Sequence, residues 1–324
     1  MQMTAKAWLE YIGGMSSIDQ KAVTLMQQWI DKHGTDDRTS LIAYADALIQ
    51  RYGQASGALA CEMYEATAAA QGVTVPAAEM ASLPSCEEVG KAINGTLKVN
   101  QKVPNTVGRL VKRVGADTTL KNAKRDGAQF AWVPHGDTCA FCITLASRGW
   151  QYMSKNALRN GHAEHIHVNC DCQYAIRLDG KSTVEGYNPD KYKRIYDAMS
   201  GKTSEEKINS LRRALSGKNA LTIEQLDFTI KLEKNPSMLG EKTPAKWKSY
   251  LDGLGFQVNP LGRGSLKGVS FENGGGFKIN YRGDGYMQYH PEAYSHHGGA
   301  YYKVSNARSG VNHYELDGTK SKKE

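Results

Sequence analysis

Apolar residues recur at helical spacing through much of the first 130 positions. Ile18, Ala22, Leu25, Met26, Trp29 and Ile30 fall on one helical face. Ser17-Ile18-Asp19-Gln20, just ahead of that stripe, has the form of a capping box, in which a hydroxyl and a side chain three residues on satisfy each other's backbone N–H groups. The pattern predicts a helix opening there, a second over 39–52 that stops at Gly53, and an Ala-rich third over 57–71 that ends at Gly72. Residues 73–83, with Pro76, read as a loop. Ser85-Cys86-Glu87-Glu88 is another capping box, opening a short helix that Gly95 closes, and 104–125 is a further helix weakened at Gly108 and Gly115. Such stripes bury a helix face against a core. There is no internal repeat.

At Phe130-Ala131-Trp132-Val133 the pattern turns strand-like. Residues 143–150 read as a short helix, and Tyr174-Ala175-Ile176-Arg177 as a closing strand. Polar helices return over 179–239, with capping signatures at Thr203-Ser204-Glu205-Glu206 and Thr222-Ile223-Glu224-Gln225. Residues 180–189 and Gly201 mark linkers, and 233–240, with Pro236, a boundary. Thr243-Pro244 caps one amphipathic helix that uses Trp247, Tyr250 and Leu251 and stops at Gly253. Beyond Phe256 the writing is β: 277–281 alternates, Asp284-Gly285 supplies a hairpin turn, 286–290 pairs back, and 300–304 and 311–316 are further strands. Residues 319–324 are expected to fray.

The 324 residues have room for two or three domains, and 23% charged with 40% hydrophobic residues is ordinary for a folded soluble protein. No apolar run is long enough to cross a bilayer. Trp8, Leu9, Tyr11 and Ile12 are too few and too interrupted for a signal segment. The net charge of +8 is uneven: residues 201–324 carry 19 basic and 13 acidic side chains, residues 1–200 carry 22 and 20. A basic C-terminal third points to a polyanionic partner such as nucleic acid, set against the plainer reading of a solvated basic surface.

Four of the six cysteines lie close together, Cys139 and Cys142 in one pair and Cys170 and Cys172 in the other, with His162, His165 and His167 between the pairs. Zinc takes four tetrahedral N/S ligands, and a two-residue gap lets both cysteines of a knuckle reach one ion. The best set is Cys139, Cys142, His167 and one of Cys170 or Cys172. His alternates with other residues over 161–167, so in an extended segment only some of these histidines share a face. His162-Ala163-Glu164 resembles the His-x-Glu of zinc deaminases, but it follows the Cys pair, the reverse of their order. With four or five candidate donors the sphere closes without water, so the zinc reads as structural. Thiols at metal spacing in a long chain point to a reducing compartment rather than a disulfide scaffold. Cys61 and Cys86 are expected in the core. The fold class is therefore α+β: a helical N-terminal domain (1–130), a small zinc-knuckle middle (131–180), a helical linker (181–239) and a compact basic α+β domain with an antiparallel sheet (240–324).

In the last of these, His290, Ser295, His296, His297, Tyr301, Tyr302, Lys303, Ser305, Arg308 and His313 form a dense polar set. A metal-independent ribonuclease needs a base, an acid and cations for phosphate. His296 or His297 as base or acid, with Lys303 and Arg308 on phosphate, fits that chemistry. The other reading is a binding or decoration module with these groups at its surface. Gly262-Arg263-Gly264 and Gly274-Gly275-Gly276 do not sit between a strand and a helix, so they read as turns rather than phosphate loops.

The run from Val133 through the Cys139/Cys142 pair, with Gly161-His162-Ala163-Glu164-His165-Ile166-His167-Val168-Asn169-Cys170-Asp171-Cys172, resembles the phage head-morphogenesis family typified by the Mu F protein. The likeness is to its minor capsid branch in phages of Gram-positive bacteria, over about residues 1–180. The resemblance implies a virion protein present in few copies, made in the host cytoplasm, meeting portal and capsid proteins and acting in head assembly or DNA ejection. It also implies that Cys139, Cys142, His167, Cys170 and Cys172 are the marked residues, here with His162 and His165 added. Members of that family carry variable C-terminal extensions similar to polymorphic-toxin domains, and Tyr289-His290-Pro291 and Ser295-His296-His297-Gly298-Gly299 resemble such extensions.

Overall fold

The computed structural model describes residues 3–136, 138–153, 172–217, 220–281, 285–292, 298–306 and 310–321. The fold is α+β, helical in its N-terminal half and ending in a five-stranded antiparallel sheet. The chain divides into two compact units, Met1–Tyr192 and Lys193–Glu324. Residues 181–239, expected as one linker, are shared between them. Among the described residues no helix is long and apolar enough to cross a membrane.

The first unit is built on α1 (Ala5–His33), α2 (Arg38–Ala70), α3 (Cys86–Lys98) and α4 (Val103–Arg125). Helix α1 is capped by Thr4, whose hydroxyl accepts from the Ala7 N–H, and it runs straight through Ser17-Ile18-Asp19-Gln20. The box expected there does not form. Trp8, Tyr11, Ile12 and Met15 are buried, so the apolar face extends a further two turns toward the N-terminus. Helix α2 likewise runs through Gly53 and Gly57, where a break was expected. These glycines are packing positions: a Cβ on Gly57 would collide with Met80 and press on Val114 of α4. Gly115 of α4 is the counterpart, since a Cβ there would strike Met15 and Ser56. The helix propensity lost at each glycine, about 1 kcal/mol, is offset by the close approach it allows. The Ser85–Glu88 box forms as expected, although α3 continues past Gly95.

Leu41, Ile49, Val89, Ile93, Val107 and Val111 are among the residues that close the main core between these helices. Next to it, Lys112 Nζ of α4 lies 3.0 Å from Asp19 Oδ2 of α1, with both side chains at most 3% exposed. Residues 73–85 form a loop, held by α4. Asn122 clamps Glu79 from both sides, accepting its N–H and donating to its carbonyl, each at 2.9 Å. The Thr118 hydroxyl accepts from the Ala81 N–H at 3.0 Å, and Arg125 donates to the carbonyls of Pro76 and Ala77.

After α4 come β1 (Gln129–Val133), α5 (Ala140–Ala146), β2 (Gln151–Tyr152) and β3 (Gln173–Arg177), the strands ordered β2-β1-β3 and antiparallel. Helix α5 opens at Ala140, before the expected residue 143, because Cys139 caps it.

The division between the units falls within α6 (Pro189–Asp197). In the second unit, α7 (Ser204–Leu215) and α8 (Ile223–Lys234) each open on the capping box expected for them. A 3-10 turn over Pro236–Glu241 leads to α9 (Pro244–Gly253). Trp247 of α9 is fully buried and its indole N–H donates to the Leu239 carbonyl at 2.8 Å. Phe228 of α8 meets Trp247, Tyr250 and Phe256 ring to ring. Strands β4 (Asn259–Pro260), β5 (Phe277–Asn280), β6 (Tyr286–His290), β7 (Tyr301–Asn306) and β8 (Gly310–Glu315) follow in sequential order, antiparallel throughout. Residues 233–240, expected as a boundary, are instead part of this unit: a Cβ on Gly240 would strike the Asp317 carbonyl in the turn after β8. Thr319 to Ser321, expected to fray, fold back on that strand. Glu315 N–H donates to the Thr319 carbonyl at 2.8 Å, and Ser321 N–H to that of His313 at 3.0 Å.

Gly115→Val lowers the unfolding free energy by about 1–3 kcal/mol through overpacking, whereas Gly95→Ala, at an exposed position with nothing within 4 Å of the added Cβ, raises it by about 0.5–1 kcal/mol. Urea titration of each variant checks both signs. Lys112→Met strands a buried carboxylate and costs about 3–5 kcal/mol, while the double variant Asp19→Leu/Lys112→Met loses clearly less; equal losses in the two would show that the pair itself is not the cause.

Candidate functional site

Strand β1 ends at Val133, paired with Gln173 at the start of β3. Just past that end, the His135 N–H points to Cys172 Sγ at 3.4 Å. Cys139 takes the N-cap position of α5, where its sulfur accepts from the Cys142 N–H at 3.5 Å, the place an Asp or Ser oxygen usually fills. Cap and third helical residue lie on the same side of the first turn, so the two-residue gap of the knuckle becomes one turn of helix.

Cys142 and Cys172 are each 1% exposed and belong to one apolar cluster with Ala116 and Leu120 of α4, Phe130, Trp132, Leu145 and Tyr174; Cys139 packs against the same cluster. Tyr174 meets Trp132 edge-on with ring centroids 4.6 Å apart. Burial pushes its hydroxyl well above the usual tyrosine range, with Asp117 adding to the shift. The Tyr174 hydroxyl and the Trp132 indole N–H are buried without hydrogen-bond partners among the described residues. The structure thus gathers three of the five sequence-marked ligands, Cys139, Cys142 and Cys172, into one neighbourhood. His167 and Cys170, with His162 and His165, lie outside the described residues. Among the described residues no group of three or more His, Cys, Asp or Glu side chains is arranged to hold a metal ion. Cys61 and Cys86, expected in the core, are half-buried and exposed respectively; Cys86 is the first residue of α3, on a turn that faces solvent.

In the second unit, His296, His297 and Arg308 lie outside the described residues. Lys303 is on β7, opposite Gln288 of β6 and His313 of β8, and Gln288 in turn faces Lys278 of β5. Alternation sends Phe277, Ile279, Met287, Tyr302 and Val304 to the buried side of the sheet. Tyr302, grouped by sequence with the polar set, is therefore a core residue. The other side carries Lys278, Asn280, Tyr286, Gln288, His290, Tyr301 and Lys303. Together with the loop residues Leu261 to Gly264, most of these line a cleft of about 720 Å³. The sequence took Gly262-Arg263-Gly264 for a turn and left Lys278 and Tyr286 unmarked. The alternation of 277–281 held a usable signal, because pairing it with 286–290 sets Lys278 opposite Gln288.

Residues 2–199, more than half of the chain, match the family described as VG15 protein. Nothing among curated proteins or solved structures matches the chain. The matched span contains the four-helix core and the cysteine cluster, and the chain accordingly belongs to the VG15 protein family, a viral gene family, which makes it a phage-related protein.

Proposed function

We propose that the protein is a phage minor capsid or head-morphogenesis protein, held in few copies near the portal. In this reading a structural zinc stabilises its middle region and residues 240–324 form an appended effector-like module. The observation that carries the reading is that Cys139, Cys142 and Cys172 all pack in or against one apolar cluster, inside the span matched by the viral family. The donor chemistry suits zinc: thiolates are its preferred ligands, and His167 and Cys170 bring the candidates to five. Bound there, the ion would cross-link the helix start to the strand start and supply folding free energy. The chain's own part is to hold the sulfurs: β1 and β3 fix Cys172 beside residue 135, and the first turn of α5 fixes the Cys139/Cys142 pair.

A second reading makes residues 240–324 a ribonuclease-type effector, with His296 and His297 as acid and base and Lys303 and Arg308 on phosphate. The placement of Lys303 in a basic cleft favours it, and a packaged virion protein can carry such a module.

Purified protein is expected to contain about one zinc per chain, and Cys139→Ser to lose both the metal and thermal stability. Elemental analysis with parallel melting curves measures both, and metal-free protein that melts unchanged would sink the zinc reading. The capsid reading predicts the chain in purified phage particles at a small fraction of the major capsid protein's copy number, as counted by quantitative mass spectrometry.

A further inference from the structure

The cleft on the exposed face of the C-terminal sheet has a composition that its size alone does not require. Its described lining holds three basic side chains, Arg263, Lys278 and Lys303, and no acidic one. The cations come from separate elements. Lys278 is on β5, Lys303 on β7, and Arg263 on the loop after β4, which stands over the sheet edge because Gly276 lets Leu261 approach closely. Gathering like charges in one concavity is unfavourable without an anion to meet them.

Lys278 and Lys303 share one cross-strand row with Gln288 between them, and aromatic rings occupy the rows on either side. The Lys278 ammonium sits 5.0 Å over the Tyr286 ring. The His290 ring stacks on Tyr301 at 4.7 Å with the planes 1° apart, and Tyr301 touches His313 at 5.0 Å. Gln288 hydrogen-bonds the His290 ring at 3.0 Å, which fixes its orientation. Cross-strand register therefore produces rows of cation, amide and ring on a twisted antiparallel surface. A folded protein partner would find few apolar anchors there. An inorganic anion would use the cations and leave the rings idle. A single-stranded nucleic acid uses both, with phosphates on Lys278, Lys303 and Arg263 and unstacked bases against Tyr286 and the His290–Tyr301 stack.

We propose that this face, centred on Lys278, Tyr286 and Lys303, binds single-stranded nucleic acid through phosphate contacts and base stacking. The inference uses only the second unit, so it stands or falls separately from the zinc and capsid readings. It also requires no cleavage chemistry.

The test is fluorescence anisotropy of the full chain with labelled oligouridylate and oligothymidylate over a salt series. Three phosphate contacts give a slope of log affinity against log salt of about −2. Lys278→Glu/Lys303→Glu weakens binding by at least about tenfold and flattens that slope. Tyr286→Ala weakens it by about tenfold with the slope kept. Lys21→Glu/Lys98→Glu, an equal change of net charge on exposed positions of the first unit, leaves affinity within about twofold. Thermal melts of all variants confirm that each is folded. Binding of neither oligonucleotide, equal losses in the two double variants, or a duplex bound as tightly as the single strands would overturn the proposal.

Discussion

Helix α4 is surrounded, and a surrounded helix cannot leave a polar side chain without a partner. Lys112, Thr118, Thr119 and Asn122 are all buried along it. An unmet buried amide or hydroxyl costs about 1–3 kcal/mol, and an unmet charge costs more. Each polar group of α4 therefore dictates a neighbour. Lys112 fixes where α1 must place Asp19. Thr118 and Asn122 fix the path of the loop over 73–85 through its backbone. Thr106 meets Thr96 of α3 at 2.6 Å. Thr119 hydrogen-bonds Tyr11, which lowers that hydroxyl's pKa but does not offset burial, so it rises to about 12. The apolar core supplies the driving force, and these polar demands restrict the register in which the helices can pack.

The same helix supplies the floor of the cysteine cluster. Ala116 and Leu120 pack beneath Phe130, Trp132 and Tyr174, so β1 and β3 are seated on α4 before any sulfur is considered. Seating the strands brings the end of β1 to the start of β3, and that places Cys172 beside residue 135. The Cys139/Cys142 spacing would make a tight knuckle in many folds. Here it has become a helix cap, with sulfur doing the work of a cap oxygen. The region thus has a fixed framework whether or not an ion completes it.

The C-terminal sheet follows a different economy. Its buried side is aromatic, with Phe277, Tyr289 and Tyr302 in ring contact, and burial raises the Tyr302 hydroxyl far above its ordinary range. Its other side carries half-buried cations and rings. A strand period of two makes that separation automatic once the register is set, and the 3-10 turn over Pro236–Glu241 braces the far edge against the turn after β8.

Features that depend on a few consecutive residues were legible in the sequence. The boxes at Ser85, Thr203 and Thr222, the Thr243 cap, the hairpin between β5 and β6 and the strands around 130–133 and 174–177 all rest on local hydrogen bonds or alternation. What the sequence left undecided depends on distant neighbours. Ser17-Ile18-Asp19-Gln20 has the letters of a cap, yet burial of Trp8 to Met15 carries the helix through it and commits Asp19 to Lys112, 93 positions away. Gly53 and Gly57 read as ends because glycine is a poor helix former, while the loop over 73–85 and α4 need them as room for close approach. Lys278, Lys303 and Arg263 are 40 residues apart at the extremes and share a cleft only through strand pairing. Local propensity is written in neighbouring side chains, whereas burial and cross-strand register are properties of segments that meet only after the chain has folded.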